Sequence, residues 1–336
     1  MRNLSTAFLG VMLILTFASI SAQSPRPAAK SAAAKKYTVP RTPWGDPDLQ
    51  GIWPSTHMLG VPFQRPDQLA GKTALSDEEL KQREEQARRQ AEQDNEEFVA
   101  PRAGGAEGGG TGPPGHWSER GRPQRQTSLI VEPADGKMPP MTPEGQRRAS
   151  AVTTSFNDVL YRSPEDFSLY DRCITRGVLG SMMPVIYNNG NQIFQTPWQV
   201  VIRYEMIHET RVIPLDGRPH VSDRIRTYMG DARGHWEGDT LVVETTNFNG
   251  KTGITGNGRN TPYTTSMRLI ERLTRIDKDT IEYEAALDDS KTWTRPWKIG
   301  FTLRQEPGYG MFEYACHEGN NAMRNMLSGA RAAEKP

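Results

Sequence analysis

After Ile20 no segment of the 336-residue chain is both long and apolar enough to span a bilayer, which takes ~20 residues with little charge. A charge excess is missing too. Forty-one Lys and Arg stand against 40 Asp and Glu, a net charge of +1, so the chain offers no basic surface for general nucleic-acid binding. Cysteine is nearly absent, with two in all. There is no CxxC, no HExxH and no GxSxG, which removes the common zinc signatures and the serine-hydrolase elbow. The glycine-rich GGAEGGGTG lacks both the Lys-Ser/Thr ending and the preceding apolar strand of a phosphate-binding loop. No nucleotide site is expected.

What the chain has in excess is turn residues. Its 31 Gly and 25 Pro make up about one residue in six, against roughly 12% in an average protein. Many short elements follow from this, and a mostly helical bundle does not. At the N-terminus, Arg2 precedes an apolar run from Ala7 to Ile20 and small residues up to Ala22. That pattern predicts a cleavable secretory signal over 1–22 and a periplasmic or secreted protein with no transmembrane anchor after cleavage. In such an oxidising compartment, Cys173 and Cys316 are expected to form a disulfide. A loop this long would contribute roughly 5 kcal/mol in the chain-entropy model. A catalytic thiol at Cys316 beside His317 is the weaker alternative, because neighbours on a strand face opposite ways.

Composition divides the rest. Residues 23–40 read as a disordered leader and 41–150 as an irregular extension. Residues 151–332 read as a β domain with short flanking helices. Within the extension, Trp44 and Trp53 flank turn residues and would pin their segment to a core. Ser76 and Glu79 form a capping box, with Leu75 and Leu80 as its hydrophobic staple. The helix they start has few apolar residues and should be solvated. Pro101 to Pro123 reads as a flexible loop. Thr142-Pro143 and Ser163-Pro164 each predict a short helix start.

Past Met183 the pattern is β. Asn189-Gly190 and Gly238-Asp239 read as two-residue hairpin turns. From Met267 to Leu287 one face carries Leu269, Leu273, Ile281, Tyr283 and Ala285, and the other carries Arg268, Arg272, Glu282 and Glu284. Trp297, Ile299, Phe301 and Leu303 alternate in the same way. Such one-sided strands belong to an antiparallel sheet. About nine or ten of them, joined by short turns, predict a mainly β fold: an antiparallel meander closing into a lipocalin-like barrel of about eight to ten strands. ACHEGNNAMRNMLSGAR reads as a last strand running into a short helix capped at Asn320 or Asn321.

The motifs TPWGDPDLQGIW, IPLDGRPH, GHWEGDTLVVETTNF, TWTRPW and YACHEGN resemble those of a widespread group of secreted proteins of soil and environmental bacteria. The resemblance covers most of the chain and implies a secreted, single-domain protein. That group has no activity attached to it, so no site residue is implied.

Chemistry has few handles. His208, placed on the inward alternation of Ile202, Tyr204 and Met206, would meet His220, His317 and Glu318 at one rim if three strand ends converge. Those four would suit Zn²⁺ or Cu²⁺. The plainer reading makes His208 a hydrogen-bonded core residue and the others loop residues. His116 and His235 each precede a tryptophan, Trp117 and Trp236, and are expected to pack beside it, and the methionines are scattered as core filling. Without metal, Asp216 would orient His220 as a general base, with Arg218 or Arg203 facing developing negative charge. The plainer reading of LDGRPH is a tight turn, and that of Arg203 with Glu205 a surface pair. Among Glu205, Glu209, Glu237, Glu244 and Glu271 nothing selects a glycosidase pair.

Three functions follow. The first is binding of a small, partly apolar ligand in an internal pocket walled by Tyr204, Trp198, Trp236, Trp293 and Trp297. The second is a hydrolase or lyase, metal-dependent or using His, acid and Arg, acting on environmental carbohydrate or aromatic compounds. The third is an envelope interaction module using the solvated helix and the Trp44 to Trp53 segment.

Overall fold

Alternation of apolar and polar residues organises most of the computed structural model, which describes residues 37–94, 119–152, 161–254 and 261–334. The strands, in chain order, are β1 (Gly51–Ile52), β2 (Ile130–Glu132), β3 (Asn191–Thr196), β4 (Gln199–Tyr204), β5 (Thr210–Pro214) and β6 (Asp231–Glu237). They continue with β7 (Thr240–Thr246), β8 (Gly253–Ile254), β9 (Thr261–Pro262), β10 (Arg268–Arg275), β11 (Thr280–Asp288) and β12 (Trp297–Arg304). The helices are α1 (Asp77–Asp94), α2 (Pro143–Ser150), α3 (Gly177–Met182) and α4 (Ala322–Ala333).

Every ladder is antiparallel. Pairing runs β1-β3-β4-β5 in one sheet, β2-β12-β11-β10-β7-β6 in a second, and β8-β9 in a small third. No closed barrel forms among the described residues. Where closure would need β5 to bond β6, the two pack side chain against backbone instead: a Cβ added at Gly234 would lie 2.8 Å from both Ile213 Cγ2 and Leu215 Cδ2. The inner faces of the two larger sheets share one apolar core, with Ile193, Ile202 and Ile213 from the first and Leu241, Leu269 and Ile299 from the second.

The hairpin expected over Met267 to Leu287 forms in register, with Leu269 opposite Leu287 and Leu273 opposite Tyr283. Gly238-Asp239 joins β6 to β7, with Glu237 opposite Thr240, and Gly238 takes the left-handed φ of +61° that the turn requires. Trp297, Ile299, Phe301 and Leu303 are all buried. Of their outward neighbours, Lys298 pairs with Glu132 at 2.6 Å.

Asn189-Gly190, by contrast, is not a hairpin turn. The Asn189 side chain bonds both the amide and the carbonyl of Val185, each at 2.7 Å, which closes a local loop before β3. The partner of β3 comes from the N-terminal region: Gly51 stands opposite Ile193, and Trp53 N donates to Asn191 O. The extension therefore belongs to the sheets, with β1 and β2 as edge strands. Within the expected leader, Val39 is already buried. Trp53 is an anchor, fully buried with Nε1 donating to Leu49 O, whereas Trp44 is exposed.

Helix α1 starts with the reciprocal Ser76–Glu79 bonds and runs largely exposed. Thr142 caps α2 by accepting from Gly145 N at 3.0 Å. Ser163-Pro164 opens a single 3-10 turn over Pro164–Asp166. The last strand ends at Arg304, so the YACHEGN segment is irregular, and α4 follows it with Asn320 Oδ1 accepting from Ala322 N. The expected signal segment, most of the expected leader and Gly/Pro loop, and His116 lie outside the described residues. Among the described residues no helix is long and apolar enough to cross a membrane.

Candidate functional site

Among the described residues five non-glycine residues have left-handed backbone: Cys173, Asn188, Ile207, His208 and Asn247. Each such residue costs about 1–3 kcal/mol and persists only where its surroundings hold it. Four of the five converge on one cavity. Asn188 lines it, Cys173 is bridged to Cys316 in its wall, and His208 Nδ1 bonds the carbonyl of Tyr314, another wall residue, at 2.9 Å. Ile207 precedes His208 in the same turn.

The cavity has a volume of about 490 Å³. Its apolar side is Phe167, Met323 and Met326, and its polar side is built from Tyr170, Tyr187 and Tyr314. Tyr170 Oη lies 3.1 Å from Tyr314 Oη and 3.4 Å from Tyr187 Oη. Burial pushes the Tyr170 and Tyr187 hydroxyls up to about 12 and raises that of Tyr314, so all three stay neutral donors at physiological pH. Behind the Tyr170 ring, 5.0 Å from its centroid, sits the Arg176 guanidinium. Its Nη1 donates to the Met206 thioether, and its Nε and Nη2 are buried without a hydrogen-bond partner.

Two carboxylates, Glu205 buried and Glu119 half-buried, hold these walls in place. After β4 the chain turns at Glu205, whose side chain is buried and accepts from Gly190 N, Asn188 Nδ2, Tyr309 Oη and Phe312 N at 2.7–3.1 Å. One carboxylate thus ties the Asn188 turn and the Tyr309 to Phe312 segment to the end of β4. Glu119 adds bonds to Asn188 N at 2.5 Å, Asn189 Nδ2 at 2.7 Å and Thr56 Oγ1 at 2.5 Å. The Cys173–Cys316 disulfide, with Cα atoms 5.8 Å apart, closes the other side. It links the turn before α3 to the irregular segment after β12, where a last strand had been expected.

The expected catalytic and metal residues take other positions. Asp216 does not orient His220; it accepts from Arg218 N and Nε, as a tight turn does. The acid partner of His220 is Asp231, 2.8 Å from Nδ1, and Arg233 and Val221 N bond the same carboxylate. Strand alternation fails before His208, because Ile207 and His208 both have positive φ, and His208 is exposed, bonded to Tyr314 O instead of facing inward. His317 and Glu318 are exposed on the irregular segment. Among the described residues no three His, Cys, Asp or Glu side chains group as metal ligands, so the Zn²⁺ or Cu²⁺ set does not assemble. Glu205 is buried, so it forms no surface pair with Arg203.

The expected aromatic wall does not line this cavity. Trp293 and Trp297 pack edge-on at 5.3 Å in the core, Tyr204 is buried, Trp236 packs against the core, and Trp198 is 73% exposed in the β3–β4 turn. Tyr204 lies instead beside a buried ion pair. Arg211 on β5 bonds Glu271 on β10 at 3.0 and 2.6 Å, with Thr245 Oγ1 and Tyr283 Oη completing the set. Burial opposes the charge on Arg211, and the Glu271 carboxylate more than offsets it, so its pKa is raised.

Tyr170, Tyr187, Tyr314 and Arg176 carry no periodic signal in the sequence. The cysteines held the clue, since Tyr170 and Tyr314 lie three and two residues ahead of the bridged Cys173 and Cys316. Neither a family model, nor a curated protein, nor a solved structure matches the chain.

Proposed function

We propose that the protein is a periplasmic or secreted binding protein for a small, partly apolar molecule, held in the cavity between the Phe167 to Arg176 segment, the Tyr314 to Cys316 segment and α4. One observation carries the reading: an apolar wall and three convergent hydroxyls enclose about 490 Å³, within the ~300–1,000 Å³ of ordinary ligand pockets. Strained backbone around the cavity supports it, because such strain gathers at ligand sites. The disulfide fits an oxidising compartment. A lipocalin-like barrel interior is not needed, since loops and α4 supply the lining. The test is a thermal-shift screen of one-ring aromatic and short aliphatic compounds. Wild-type protein should be stabilised by some of them, and Ala315→Trp, which fills the cavity from its wall, should lose the effect. Stabilisation that survives Ala315→Trp would place binding elsewhere.

One observation favours a second, catalytic reading as a hydrolase or lyase. The Asp231 carboxylate holds His220 by Nδ1 at 2.8 Å, the arrangement that orients an imidazole as a general base. Turnover of carbohydrate or aromatic esters, abolished by His220→Ala, would establish it. Turnover unchanged in that variant would reduce the pair to an anchor for the Asp216 to Val221 turn.

A further inference from the structure

Among the described residues, Arg176, packed behind the Tyr170 wall of the cavity, has a guanidinium that its neighbours leave incompletely bonded. Its side chain is 6% exposed, two of its guanidinium nitrogens have no partner, and its third bonds only a thioether, which is a weak acceptor. Arginine cannot shed its charge in a protein, so burial is not relieved by titration. Among the described residues no carboxylate pairs with it; the groups that act on it are Tyr170, Tyr314 and Tyr187, all neutral at physiological pH. An isolated buried cation is costly to hold, and an anion nearby removes much of the cost.

The cavity is where such an anion fits. Tyr170 is both the ring against which Arg176 lies and a wall of the cavity. Of the two acids in the lining, Asp171 accepts from Ser168 N and Oγ, and Glu313 is exposed. Three tyrosine hydroxyls share two hydrogen bonds, of 3.1 and 3.4 Å. Both are long for O–H···O, so an anionic acceptor would compete well for these protons. Opposite them, Phe167, Met323 and Met326 suit a hydrocarbon body.

We propose that the ligand is a monocarboxylate with a small aromatic or apolar body, its carboxylate bonded by the tyrosine hydroxyls and its charge balanced by the buried Arg176. The inference rests on the cavity being the binding site. It is tested by calorimetric titration with benzoate and with benzamide, which share a shape and differ in charge. Wild-type protein should bind benzoate at least about tenfold more tightly, the size of effect expected of charge-assisted hydrogen bonds. Arg176→Met should bring the two affinities together, and Arg176→Lys should restore the preference for the anion. Tyr314→Phe should weaken benzoate more than benzamide. If Arg176→Met does not fold, as judged by circular dichroism, the wild-type ratio and Tyr314→Phe decide the question. Equal affinities in the wild type, both lost in Ala315→Trp, would overturn the charge inference and leave the pocket reading standing. Binding of neither probe, or binding unaffected by Ala315→Trp, would overturn the pocket reading and the inference with it.

Discussion

His57 sits in a 3-10 turn with Nε2 bonded to Thr302 Oγ1 at 2.8 Å and its other nitrogen buried without a partner. Burial, and after it the charges of Arg304 and Arg122, lower its pKa from 6.5 to about 4. The unfolded chain therefore takes up this proton more readily than the folded one. Stability falls as pH drops from about 6.5 towards about 4, by up to about 3 kcal/mol. Urea midpoints at pH 7 and pH 4.5 should show this loss, and His57→Gln should flatten it. The Arg211–Glu271 pair behaves differently, because neither partner reaches water. Glu271→Gln leaves the guanidinium buried and unbalanced and should cost about 3–5 kcal/mol. Replacing both, with Arg211→Met and Glu271→Leu, should recover most of that. A double variant as unstable as Glu271→Gln alone would show that the loss does not come from an unbalanced buried charge.

Between elements, the cavity depends on a cross-link and a helix that no sheet holds. The disulfide closes a span of 143 residues, and removing it with Cys173→Ser and Cys316→Ser should cost about 2–5 kcal/mol. The same variant should bind benzoate far more weakly, because Tyr314 and Cys316 would no longer be fixed beside Tyr170. Unchanged affinity would mean that Glu205 and α4 position the wall unaided. Local pattern made several elements legible. Alternation over Leu269 to Leu303, Gly238-Asp239, the Ser76–Glu79 box and Thr142-Pro143 each act through neighbours in sequence. Glu271 lies two residues from both Leu269 and Leu273, so the alternation that places those inward covers it too, and it is buried. Asn189-Gly190 misled because the Asn189 side chain closes a loop that a sequence pattern cannot distinguish from a hairpin. His208 misled because two residues of positive φ broke the alternation that placed it inward.

At the scale of the whole molecule, the antiparallel β character follows from those local patterns, and the closure of the sheets does not. At one of the two open seams β5 overlies β6 instead of bonding it, and the glycine at 234 that permits this packing looks in sequence like any strand glycine. The site sits on segments with no periodicity, and of the ties between its halves only the cysteine pairing is marked in the sequence. It predicts that ligand contact is local to α4 and its neighbours. The most direct measurement is a titration with benzoate of protein carrying ¹³C-labelled methionine methyl groups, followed by NMR. Met323 and Met326, which line the cavity, should shift saturably, while the core residues Met58 and Met182 stay in place. A saturable response at the core methionines with none at Met323 and Met326 would contradict the account.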